Sequence, residues 1–246
     1  MQGAKKVAVQ NHLLAALPRR DYQRLLPFLE SVELPFEQVL YESHATIRYV
    51  YFPNDSLVSM LTTVEGDRAA EVGLIGREGM IGLPVALGVA ASPFRAMVQG
   101  GGTAMRMKLA DFRREFSNCA ALRRELFLFT HLLMIQIAQT AACNRFHLVG
   151  QRMARWLLMT SDRVSSNEFR VTQEFLGLML GVRRVGVSVA ASSLAKRKLI
   201  GYRRGVFTIL DRDGLVAAAC GCYKTVKDFY TEAQGRKGNS ASARHK

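Results

Sequence analysis

Arg183 and Arg184 stand side by side directly after Gly181-Val182. A guanidinium near the start of a helix can donate twice to one guanine edge, at O6 and N7 in the major groove. A second basic pair, Arg203-Arg204, precedes Gly205 in what reads as a tight turn. Cations at a turn suit phosphate contacts, which set register without reading bases. Cys220-Gly221-Cys222 offers two thiols close enough to capture a soft metal or to oxidise. The favoured reading is that these small residues close a domain, so no metal site is predicted. His12, His44, His131, His147 and His245 show no metal-ligand spacing, and there is no Gly-x-Ser-x-Gly elbow. The chemistry on offer is therefore recognition of a polyanion, not catalysis.

The arginine pair needs a rigid frame, and the surrounding residues predict one. Thr172 is a natural N-cap, Phe175, Leu176, Met179 and Leu180 form an inward stripe, and Gly181 stops the helix. A second helix then begins at Arg183, with Val187, Ala191 and Leu194 inward and Arg183, Arg184, Ser188 and Ser192 outward. Two helices hinged at a glycine make a helix-turn-helix. After Lys196-Arg197-Lys198, two short β-type runs flank Arg203-Arg204-Gly205, which reads as the hairpin wing of a winged helix.

Charge is distributed to match. The chain has 246 residues and a formal net charge of +14. Residues 145 to 246 hold 19 Lys and Arg against 7 Asp and Glu, whereas residues 1 to 144 hold 15 against 13. A positive field concentrated in the C-terminal part attracts a polyanion and accelerates encounter with it. At 49% hydrophobic and 22% charged, the chain is globular and long enough for two modest domains. The mixed lead-in Met1 to Gln10 has no apolar signal core, and Cys119, Cys143, Cys220 and Cys222 lack disulfide spacing. A reduced, cytoplasmic setting is expected.

From Leu126 to Asn144 no residue is charged, a length that spans a bilayer, yet Thr130, His131, Gln136, Gln139 and Thr140 recur through it. The run reads as a soluble helix with two apolar stripes: Leu122, Leu126, Phe129 and Leu133 on one side, and Leu128, Leu132 and Ile135 on the other. One stripe is expected against its own domain and the other against a second copy, in a parallel dimer. His131 and His147 are given no site role, and Trp156 reads as core of the helix that follows.

Before this helix, between Val32 and Leu109, short strands alternate with turns such as Pro53-Asn54-Asp55, Glu65-Gly66-Asp67 and Gly100-Gly101-Gly102. That spacing predicts a β-roll or barrel. The glycine-rich stretch Gly73 to Pro84 could cradle an anion with backbone N–H groups, or simply make tight turns.

The order of helices, β-roll, long helix and winged helix resembles the Crp-Fnr superfamily of bacterial transcription regulators. Three stretches carry the resemblance: Gly76-Arg77-Glu78-Gly79-Met80-Ile81-Gly82, the helix-turn-helix from Thr172, and the wing ending Gly205 to Leu215. The resemblance implies a cyclic-nucleotide-binding-type sensor, a dimerisation helix and base-reading positions near Arg184, Val185 and Val189. It also implies an effector site around Gly79, Gly82 and Arg95. The family's cyclic-AMP binders use an acidic turn and an Arg-Ser pair; here the turn is Gly79-Met80-Ile81-Gly82 and Ala96 follows Arg95. Cyclic AMP is therefore not expected. Neither is an iron-sulfur cluster, since no cysteine precedes Cys119.

The fold expected is α+β: an N-terminal β-roll of the double-stranded jelly-roll type over 1–116, a dimerisation helix over 117–146, a winged helix-turn-helix over 147–232, and a disordered basic tail over 233–246. The function expected is homodimeric, sequence-specific binding to near-palindromic double-stranded DNA, modulated through the sensor, with RNA polymerase as a candidate partner and no membrane. The expected DNA contacts are Thr172, Gln173, Arg183, Arg184, Val185, Ser188, Lys196, Arg203 and Arg204. The competing reading is a signal-binding module that acts through protein or RNA partners.

Overall fold

Asn11 shows how the first turn of chain is tied down. Its side-chain oxygen accepts from the N–H groups of Leu13 and Leu14, capping helix α1 (His12–Ala15), while its amide donates to the carbonyls of Pro53 and Gly79 at 2.9 Å each. In this computed structural model the described residues are 10–63, 69–164 and 166–242, with side chains as far as 233. The expected turn at Glu65-Gly66-Asp67, nearly all of the basic lead-in and the last four residues of the tail lie outside them.

The chain continues through α2 (Arg19–Leu25), a 3-10 turn at Leu26–Phe28, and strands β1 (Glu30–Leu34), β2 (Val39–Tyr41), β3 (Tyr49–Pro53), β4 (Leu57–Thr63) and β5 (Ala69–Ile75). A 3-10 turn at Leu83–Leu87 leads to β6 (Arg95–Gly100), β7 (Gly102–Lys108), α3 (Leu109–Asn118) and the long α4 (Ala120–Phe146). The remainder is α5 (Val149–Val164), β8 (Glu168–Arg170), α6 (Gln173–Leu180), α7 (Arg184–Lys196), β9 (Ile200–Arg203), β10 (Val206–Ile209), α8 (Arg212–Ala218) and α9 (Cys222–Ser242). Mixed α and β structure, with antiparallel sheets first and helices later, is the fold class the sequence predicts.

Two compact units emerge. The first takes the described residues up to Val58 together with Ile75–Phe129. In it β7 pairs antiparallel with both β1 and β3, placing Met105 opposite Ser31 on one side and Phe52 on the other, and β2 pairs with β6. Val50, Tyr51 and Phe52 of β3 are buried in succession, and Ala104, Met107 and Phe112 are buried with them, so β3 is covered on both faces.

The second unit takes Ser59–Leu74 and the described residues from Thr130 onward. This division differs from the boundaries at 116 and 146 expected from sequence, and packing explains why. A Cβ on Gly73 in β5 would lie 3.3 Å from Leu133 and 3.7 Å from Ile137 of α4, and the Gln136 amide donates to the Leu74 carbonyl at 3.0 Å. The strand pair β4–β5 is thus bound to the second half of α4. The same Gln136 accepts from Arg163 at 3.1 Å. Although α4 is long and apolar enough to cross a bilayer, it carries a buried glutamine committed to its own chain.

The faces of α4 also differ from expectation. Leu122, Leu126, Phe129 and Leu133 are buried as expected, but Leu132 is buried too, with Leu128 and Ile135 half-covered. The apolar stripe left open runs through Phe127, His131, Met134 and Ala138, with Phe127 53% and Met134 64% exposed. At the C-terminus, α9 continues as helix to Ser242, where composition predicted disorder from 233. Its register of Cys222, Val226 and Ala233, all buried, supplies the anchoring face.

Candidate nucleic-acid interface

The helix-turn-helix forms through local rules. Thr172 is extended and its hydroxyl accepts from the Phe175 N–H at 3.1 Å, while Gly181 takes a left-handed φ of 61° that closes α6. Val182 and Arg183 complete the turn, and α7 leaves at 105° to α6. That angle is the one at which the second helix of such a motif stands clear of its domain. Gly177 permits the tight return: a Cβ there would sit 2.9 Å from the Val182 carbonyl oxygen. Inward, Val187, Ala190, Ala191 and Leu194 are buried, so α7 is fixed along one side.

Its other side carries the expected contacts. Arg183 is the N-cap and Arg184 the first helical residue, one position later than the sequence suggests, and both are exposed. Among the described residues neither joins an ion pair, in contrast with Arg95, Arg106 and Arg114, which face Glu42, Glu30 and Asp111. Val185 and Val189 are 70% and 68% exposed, one turn apart on the same face. Exposed valines beside an unpaired arginine make a surface that suits thymine methyl groups and a guanine edge. Ser188 donates to the Gln173 side-chain oxygen at 2.9 Å, so these two expected contacts are locked together across the α6–α7 junction. Lys196 lies exposed in the last turn of α7.

The wing is a hairpin of β9 and β10 with Arg203 opposite Val206, which leaves Arg204-Gly205 as a two-residue loop. Both loop residues have positive φ, 49° and 79°, as a type I′ turn requires. Arg203 and Arg204 are exposed at this tip. The sheet has a third strand that sequence did not reveal: β8 pairs with β10, Phe169 opposite Phe207. Three residues long, it carries too little pattern to be read alone.

Beneath the interface, α5 brings in buried charge that sequence reasoning missed. Arg152 donates to the Leu180 carbonyl at the end of α6, and Arg155 to the Thr140 hydroxyl at 2.8 Å. With Glu71, Gln136, Asn144 and Trp156 they line a small internal cavity. Burial pushes the Glu71 carboxyl up to about 7, against the hydrogen bond from Ser59 and the charges of Arg155 and Arg163. At the end of α4, Cys143 and His147 meet Cys220 and Cys222, the two thiols that sequence reading assigned to domain closure without a metal. The Cys143 thiol is pushed down to about 5, chiefly by its hydrogen bond with Cys220, whose own thiol is pushed up by that same bond.

The three expected effector residues have other partners. A Cβ on Gly79 would fall 2.2 Å from the Phe129 ring, so this glycine makes room for α4. Gly82 has a φ of 94° and its backbone hydrogen-bonds the phenol of the half-buried Tyr41, whose pKa desolvation pushes up to about 12. Arg95 pairs with Glu42 at 3.3 Å.

Comparison with known proteins agrees with this architecture. Residues 151–218 match the Crp-like helix-turn-helix domain. Among solved structures, FixK2 from Bradyrhizobium japonicum aligns with a TM-score of 0.66 at 15% identity, covering 78% of this chain and 98% of its own. The c-di-GMP responsive global regulator CLP of Xanthomonas campestris aligns at 0.65 and 13%, covering 78% and 99%. A CRP-family transcriptional regulator from Thermus thermophilus aligns at 0.62 and 18%, covering 76% and 96%. No curated protein matches the sequence. Residues 151–218 thus carry a Crp-like helix-turn-helix domain, and the chain shares the fold of these regulators.

Proposed function

We propose that the protein is a homodimer that reads near-palindromic duplex DNA through α7, with the wing holding phosphate and the β-roll modulating binding. The observation that supports base reading most directly is Arg184, exposed at the start of α7, outside any ion pair among the described residues, and flanked by Val185. Thr172, Gln173, Arg183, Ser188 and Lys196 frame it, and Arg203 and Arg204 grip the backbone. Dimerisation uses the open stripe of α4 through Phe127, His131, Met134 and Ala138, a 4-3-4 spacing that suits a parallel helix pair. Two recognition helices related by a two-fold then reach half-sites about 34 Å apart. The protein works in the cytoplasm, with RNA polymerase as a further partner.

The roll does not suit classical cyclic AMP recognition: the turn at Gly79 lacks an acid, and Arg95 is paired with Glu42. An anionic effector near Gly79, Gly82 and Arg95 would have to displace Glu42.

Selection of bound duplexes from a random pool, with purified protein in near-physiological salt, tests this reading. An enriched near-palindrome is expected. Arg184→Ala should then cost about 1–3 kcal/mol at the selected site and relax preference at one base position. Arg203→Ala and Arg204→Ala should weaken all sequences alike and each lower the salt slope by about 1. Equal losses on selected and scrambled DNA for all three would favour a module that contacts RNA or an acidic protein instead.

A further inference from the structure

Cys143 and His147 are four residues apart at the end of α4, and the His147 N–H still donates to the Cys143 carbonyl at 3.1 Å. The helical turn therefore persists through His147 and both side chains project from one face. Opposite them, Cys220 and Cys222 bracket Gly221 where α8 gives way to α9. The Cys143 and Cys220 sulfurs are 3.4 Å apart, and the Cys222 sulfur is 3.6 Å from His147 Nδ1. All four donor atoms lie within 4.8 Å of one another.

We propose that Cys143, Cys220, Cys222 and His147 bind one zinc ion in a closed tetrahedral Cys3His site. With Zn–S near 2.3 Å and Zn–N near 2.0 Å, the edges of such a tetrahedron are about 3.8 Å between sulfurs and about 3.5 Å between sulfur and nitrogen. The two separations above are close to those edges. The donor set excludes a hard cation, which would require oxygen ligands. A disulfide between Cys143 and Cys220 would engage two of the four groups and leave Cys222 and His147 converging without purpose.

Two surrounding features fit the metal. The Gln139 amide donates to the Cys222 sulfur at 3.0 Å, the kind of outer hydrogen bond that orients a thiolate ligand. Arg152 and Arg155, both buried, lie within electrostatic reach of Cys143. Three thiolates, one imidazole and Zn2+ sum to a single negative charge, which these guanidinium groups offset. Four protein donors complete a tetrahedron, which leaves no open position for a reacting ligand. The zinc ion fastens the end of α4 to the α8–α9 junction and thereby sets the position of the winged helix on its own connecting helix.

Cobalt titration of the reduced, full-length protein tests this. The expected result is thiolate charge-transfer and intense tetrahedral d–d absorption saturating at one Co2+ per chain, lost on adding one equivalent of Zn2+, with Zn2+ raising the Tm. Cys222→Ser and His147→Ala should each weaken binding at least about 10-fold. His147→Cys should keep tetrahedral spectra, and Cys119→Ser, outside the cluster, should change nothing. The proposal fails if the fully reduced wild type shows no tetrahedral cobalt spectrum, if it forms only a Cys143–Cys220 disulfide, or if both ligand variants bind as tightly as wild type.

Discussion

Arg204 is held at a φ of 49° at the tip of the wing. A left-handed backbone costs a side-chain-bearing residue about 1–2 kcal/mol, and type I′ loops favour Asn-Gly for that reason. An arginine kept there is a local strain, which the proposed phosphate contact would account for. Arg204→Asn is therefore expected to raise stability by roughly 0.5–1 kcal/mol in denaturant unfolding while weakening binding to every duplex. Unchanged DNA affinity would remove Arg204 from the interface. Glu71 carries a different conflict, since burial lifts its carboxyl from 4.5 to about 7. The native state then holds a proton that the unfolded chain releases above about pH 4.5. Stability from this group is intact at lower pH and is lost as pH rises towards 7, by up to about 3 kcal/mol, with no further change above. Glu71→Gln should remove that dependence, so the variant gains on the wild type between about pH 4.5 and about pH 7. A constant difference across that range would contradict it.

At the scale of elements, the helix-turn-helix depends on Gly177 as much as on Gly181. A Cβ at 177 meets the backbone oxygen of Val182 at 2.9 Å, and backbone yields less readily than a side chain. Gly177→Ala gains helix propensity of about 1 kcal/mol, yet it must push α7 away from α6. The expected net is a loss of about 1–2 kcal/mol with a larger drop in cognate than in nonspecific DNA affinity, measured by thermal unfolding and by binding. A more stable variant with normal specificity would show that the turn has slack. This pair of helices was legible in the sequence because its signals are local: Thr172, the stripe Phe175, Leu176, Met179 and Leu180, and Gly181 all lie close together along the chain. The wing was legible for the same reason. Strand β8 was not, because three residues acquire meaning only from their pairing with β10. Nor was the cysteine cluster, whose Cys143 and Cys220 meet across 77 residues of chain. Of the two α4 stripes, Leu122, Leu126, Phe129 and Leu133 are buried as their spacing predicts, whereas Leu132 of the second is covered by its own chain, because periodicity shows that a face is apolar and not which neighbour covers it.

For the molecule as a whole, the excess positive charge from residue 145 onward would attract a polyanion such as DNA without choosing a site. Choice requires α7, and one helix of 13 residues can read only a few base pairs. In the proposed dimer, discrimination against a genome would come from two such helices binding as a unit, since joining half-sites makes the second contact intramolecular. The open stripe of α4 offers the means, and Met134, 64% exposed at its middle, is the position to disturb. Met134→Glu would set two like charges against each other at a parallel seam. Sedimentation should find the wild type dimeric and the variant monomeric at micromolar concentration, and the variant should bind the selected palindrome no better than an isolated half-site. Its fold should be intact, because an exposed position carries little of the monomer's packing. If Met134→Glu stays dimeric with undiminished affinity, the two-fold axis passes elsewhere and the stripe has another partner.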